Sequence, residues 1–236
     1  MKVAIMQPYL FPYIGYWQLI NAVDEFVILD DVNYIKRGYI NRNSILINGT
    51  PYMFSIPISQ ASQNRLIMDT QLNFPQKERE KFLKRIELAY KKAPQYANVM
   101  PIIHDIIENP QDDLTKYTYY QLIKICEYLQ IKTNFKFSSQ IEKNCDLKGQ
   151  DKIIEICMKE SADIYINPSG GRRLYDSQRF CNKGIKLFFL DIHNSAIVYK
   201  QTSDTFVSNM SIIDVLMSAS LDTMKQLLKE YSLADT

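Results

Sequence analysis

Two neighbouring carboxylates, Asp30 and Asp31, end one apolar run of the chain, and His193 lies just past the end of another. These three are the candidates for proton transfer. Side chains alternate along a strand, so only one of the two aspartates turns readily toward a pocket. There it would accept a proton, orient an amine or hold a magnesium ion; a cap or turn role competes with that reading. Histidine titrates near neutrality, which suits a general base. A lone histidine is also a common structural residue, and His104, set beside Ile102, Ile103 and Ile106, reads as structural.

Two basic segments are candidate anion binders. Ser169-Gly170-Gly171-Arg172-Arg173 directly follows an apolar run in a chain with seven glycines. Adjacent glycines can turn their amides toward one point and form an anion nest, and guanidinium forks match phosphate. A tight turn with two solvated arginines is the alternative. The second segment is Lys36-Arg37 with Arg42, interleaved with Tyr34 and Tyr39. Such a patch can hold a diphosphate and stack a base, or it is a solvated basic loop. Asn41-Arg42-Asn43 tilts it toward binding, because asparagine reads sugar and amide groups well. Neither segment is a P-loop or a dinucleotide-binding fingerprint.

Gln7 to Asn43 organises the rest. It holds eight aromatic residues, although loops are normally polar because their backbone meets water. Phe26 and Trp17 read as core. Gln7, Tyr9, Tyr13 and Tyr34 read as pocket wall, since tyrosine combines an apolar body with a hydroxyl. Tyr175, after the glycine pair, completes the binding candidates with Gly170, Gly171 and Arg172.

The elements that must position these residues follow from pattern. Val3 to Met6 and Phe26 to Leu29 read as buried strands. Pro8 and Pro12 keep Gln7 to Tyr13 out of a helix interior, and Gly15 opens a helix bearing Tyr16, Trp17, Leu19, Ile20 and Val23. Asn48-Gly49 between Ser44–Ile47 and Tyr52–Ile56 predicts a β-hairpin. Ile67, Asp69 and Gln71 suggest a further strand. Helices are predicted over 75–92, 98–108 and, capped by Asp112-Asp113, up to Leu129. This helical middle, about 75–130, is expected as a layer that also covers part of the pocket. Strands at 133–137, 162–167 and 184–190 then alternate with a helix after Gly149 and a final helix capped by Ser211. The pattern predicts one α/β domain over 1–236. Its mainly parallel, Rossmann-like sheet carries helices on both faces and a hairpin insertion. The loops named above would meet at the carboxyl edge of that sheet.

Composition sets bounds. The net charge of +2 is too small to argue for nucleic acid. No apolar run approaches the about 20 residues of a membrane span. The opening residues show no secretory pattern, so a cytoplasmic location is expected. Cys126, Cys145, Cys157 and Cys181 are scattered without a Cys-x-x-Cys, and the chain has two histidines, so free thiols and no zinc site are expected. Oligomeric state is not legible.

The run from Gln7 to Ile45, QPYLFPYIGYWQLINAVDEFVILDDVNYIKRGYINRNSI, resembles the opening signature of the WbqC-like protein family. YINPSGGRRLYD, the 180–185 segment and SIIDVLM near the end resemble its other blocks. The resemblance implies a setting in bacterial surface-polysaccharide and O-antigen clusters. It implies work on nucleotide-activated sugars, such as acyl or aminoacyl transfer onto an amino sugar, with a nucleotide or acyl donor as the cofactor-like partner. The order of strand, proline loop and Gly15-Tyr16 helix start is also similar to HIGH-type nucleotidyltransferases, which would activate an acid or phosphate with a nucleoside triphosphate. Both HIGH histidines and the lysine-rich second signature are missing. A non-catalytic nucleotide-sugar binder is the third reading.

Overall fold

A computed structural model describes residues 1–203 and 205–235. Five parallel strands and one antiparallel strand form the main sheet. They are β1 (Lys2–Met6), β2 (Glu25–Ile28), β5 (Asn134–Phe137), β6 (Ile164–Pro168), β7 (Lys186–Ile192) and β8 (Tyr231–Asp235), ordered β5-β2-β1-β6-β7-β8. From β1 the chain moves outward through β2 to β5. It then returns to lay β6 on the other side of β1 and moves outward again. That reversal is the topological switch point where open α/β sheets bind ligands.

Side chains alternate between two apolar layers. Ala4, Phe26, Ile28, Ile166 and Leu190 face one. Val3, Ile5, Val27, Tyr165, Leu187 and Phe189 face the other. On the first side pack α1 (Ile14–Asn21), α2 (Gln76–Tyr90), α3 (Tyr96–Glu108), α4 (Leu114–Leu129), α7 (Ile212–Ser218) and α8 (Leu221–Leu227). On the second pack α5 (Gly149–Lys159) and α6 (Ser177–Cys181). Burial on both faces is why the central strands are continuous apolar runs.

β3 (Arg42–Ile47) and β4 (Thr50–Ser55) form the separate antiparallel hairpin. Asn48 and Gly49 both take positive φ, +50° and +75°, as the tight primed turn requires. Asp113 caps α4 by accepting from the Lys116 amide.

Two expectations are corrected, and one strand goes beyond them. Residues 67–71 form no strand; Leu66, Leu72 and Gln71 make only isolated bridges. The final helix is two, because the chain turns extended at Ala219 and Ser220 caps α8 afresh. β8, pairing antiparallel with β7, was not legible: its exposed residues carry little apolar alternation. No described helix is long and apolar enough to cross a membrane.

Candidate functional site

The loop from Gln7 to Tyr13 leaves β1 at the carboxyl edge and is held in an unusual shape. Phe11 has φ +42°, a left-handed conformation costing an aromatic residue about 1–2 kcal/mol. Surrounding bonds fix it. The Phe11 amide donates to Gln121 Oε1 at 2.7 Å. Its carbonyl accepts from Asn43 Nδ2 at 2.8 Å and Ser211 Oγ at 2.9 Å. Asn43 Nδ2 also donates to the Leu10 carbonyl. Thus α4, β3 and the start of α7 hold one loop. The helical middle supports the site through Gln121, and none of its residues lines either cavity described below, contrary to the expected cover.

That loop walls a cavity of about 310 Å³ lined by Tyr9, Pro12, Tyr13, Tyr39, Asn43, Ile192, Asn194 and Asn209. Tyr9 and Tyr39 have ring centroids 6.1 Å apart. Burial raises the pKa of Tyr9 and Tyr13, and their tyrosine neighbours add to it, so both hydroxyls stay neutral hydrogen-bonding groups. Gly15 is required here: a Cβ would overlap Ile192 and the Tyr13 ring. Asn194 and Asn209 come from the long segment after β7. Asp214 anchors that segment, buried on α7 and accepting from Tyr90, Tyr199 and Gln201 at 2.7, 2.8 and 2.9 Å. The lining offers aromatic faces and amides, and among the described residues it includes no carboxylate, histidine or thiol.

Asp31 faces a second cavity, of about 470 Å³, at the ends of β2 and β5. Burial alone would raise its pKa. Hydrogen bonds from Lys143, Ser138 and Lys152 outweigh that and hold it below the usual value. Lys143 and Lys152 are 2.8 and 2.9 Å from Asp31 Oδ2. Asp30 turns away and accepts from the Ser139 amide and hydroxyl, at 2.9 and 2.7 Å. Burial keeps its pKa raised despite those bonds. Both aspartates thus hold the Ser138–Gln140 turn, and Asp31 alone also meets the two lysines.

The other candidates disperse. The half-exposed His193 lines neither cavity and its Nδ1 stands 3.8 Å from Glu230 Oε2. Tyr34 donates to Asn41 Oδ1 at 2.7 Å, and Asn41 donates to the Ile56 carbonyl, so this pair braces the loop. Arg42 folds back on the Gly38 and Arg37 carbonyls. Lys36 and Arg37 are exposed. Gln7 accepts the Tyr16 hydroxyl with its carbonyl. Arg172 pairs with Asp191 at 2.5 Å and lies over the Phe189 ring. Gly170 and Gly171 sit in a short 3-10 helix, Ser169–Leu174, and neither takes positive φ. Gly171 instead leaves room for the Asn167 amide. Tyr175 packs on Tyr165 and Phe180. Tyr13 lines the tyrosine cavity, while Arg42 and Arg172 are committed elsewhere, so the expected single gathering of rings, guanidiniums and glycines is not formed.

Sequence reasoning missed Asn194, Asn209, Lys143 and Lys152. The asparagines carry no pattern, and Lys152 meets Asp31 across 121 residues. Among the described residues, no group of three or more His, Cys, Asp or Glu side chains is placed to hold a metal ion.

The model of the WbqC-like protein family matches residues 7–226. The chain is also similar to a Mycobacterium tuberculosis protein described as Uncharacterized protein Rv1507c, with 28% identity over 228 residues, 92% of this chain and 93% of the other. No solved structure matches. The family match takes in the tyrosine loop, both aspartates, the hairpin and α7, and the chain belongs to the WbqC-like protein family.

Proposed function

We propose that the chain is a cytoplasmic transferase of bacterial surface-glycan assembly, acting on a nucleotide-linked amino sugar by acyl or aminoacyl transfer to its amine. The observation that carries this reading is the lining of the 310 Å³ cavity: tyrosine faces and asparagine amides at the carboxyl edge. Aromatic faces stack on sugar rings or bases, and amides bond hydroxyl and acetamido groups in either sense. Family membership supports the glycan setting.

Isothermal titration with UDP- and dTDP-linked amino sugars tests it. At least one member of the panel should bind, and Tyr39→Ala, at an exposed position, should cost about 1–3 kcal/mol of affinity. No binding across the panel would defeat the proposal. One observation favours a second reading, a non-catalytic carrier of the same ligand: among the described residues the cavity lining holds no carboxylate, histidine or thiol. Mass spectrometry of a bound nucleotide sugar incubated with acyl and aminoacyl donors separates the two. Tyr16, standing where a HIGH-type enzyme has its second histidine, is buried and bonded to Gln7, which leaves the nucleotidyltransferase reading without support.

A further inference from the structure

We infer that the 470 Å³ cavity over β2 and β5 is a separate site for the phosphate of a small organic phosphate. It does not depend on the reading of the tyrosine cavity. Three lysines line it, Lys143, Lys148 and Lys152. The side chains of Lys143 and Lys152 are 2% and 8% exposed, and both are drawn to one carboxylate, Asp31. Lys143 also donates to the Ser138 and Ile141 carbonyls, and Lys152 to the Asp31 carbonyl. Asp30, next to Asp31 in the chain, is committed to Ser139. Two buried ammonium groups thus share one counter-ion beside open volume, an arrangement that further negative charge would stabilise.

The start of α5 adds a second, backbone contribution. Lys148 and Gly149 line the cavity, and no side chain caps the first amides of this 11-residue helix. Free amides and the helix dipole there favour an anion. Gly149 has φ +54° and open space around it, so the backbone is accessible to a ligand. Lysines act as point charges and bind phosphate, whereas a planar carboxylate is better matched by arginine, and no arginine lines this cavity. Val32, Leu66 and Leu147 supply an apolar wall, so the phosphate carries an organic body.

Pyrophosphate titrated at low ionic strength is the test, read by calorimetry and by thermal melting. The wild-type chain should bind and melt higher. Lys148→Glu, at an exposed position, should weaken binding about tenfold or more. Asp31→Asn should strengthen it several-fold, because the two ammonium groups lose their internal competitor. A residue merely bracing the fold would give no such gain. Absence of any heat or melting change in the wild-type chain, or unchanged binding in Lys148→Glu, overturns the inference even if Asp31→Asn fails to fold. Tyr39→Ala should bind pyrophosphate as wild type does, so failure here is distinct from failure of the sugar site. Displacement of pyrophosphate by nucleotide sugars alone would join the two cavities into one site and overturn the claim of a separate one. Displacement only by nucleoside triphosphates or acyl phosphates assigns the site to a second reactant.

Discussion

Asp30 and Asp31 are adjacent in sequence and opposite in titration. Asp31 is held below the ordinary aspartate value of 3.8, so its stabilisation is complete above that value and is lost as pH falls through the lower folded one. Asp30 is raised, so its contribution is present below 3.8 and is lost as pH rises through the higher folded value. Asp31→Asn should therefore cost about 3 kcal/mol at pH 7, because it strands buried lysines. That gap should narrow on acidification, whereas the deficit of Asp30→Asn should widen. Urea unfolding of both variants at acidic and neutral pH checks the pair of signs. The sequence marks both residues by their doubling at a strand end. It does not tell them apart, because what separates them is Ser139 on one side and two lysines on the other, all distant in the chain.

At the scale of elements, α1 begins where helix propensity and packing disagree. Gly15→Ala would gain about 1 kcal/mol in an unconstrained helix. Here its Cβ meets Ile192 and the Tyr13 ring. Overpacking of this kind costs about 1–3 kcal/mol, so net destabilisation is expected, with weaker ligand binding in the tyrosine cavity as Tyr13 shifts. Asp214 is the corresponding clamp for the segment after β7. Asp214→Ala leaves three donors without their acceptor and should lower stability by about 3–5 kcal/mol in chemical denaturation. Local signals carried most of the fold: the Asn48-Gly49 turn, the proline-stiffened loop after β1 and the α4 cap were all legible. The elements lost to sequence reading are those set by distant partners. β8 exists because β7 offers it an edge, and the last helix breaks where Ala219 turns extended. Of the site, the tyrosines were readable from an aromatic loop that had no reason to be aromatic. The lysines were not, because their partner Asp31 lies far back in the chain, 121 residues from Lys152.

The whole molecule is built around its own beginning. β1 pairs with β2, which follows within about twenty residues of chain, and with β6, whose first partner is Ile164. While the nascent chain is still emerging from the ribosome, one flank of β1 can close early, but the other stays open until residues 164–168 have been made. The half-built sheet thus presents an unpaired apolar strand until β6 has been made, a hazard of late non-local pairing. A fragment ending at residue 160 should bind hydrophobic dye and sediment as aggregates, and supplying chaperone during translation should raise the soluble yield of the full chain. A tightly sealed strand in the finished protein is, for the time it takes to translate the chain as far as β6, its most vulnerable surface.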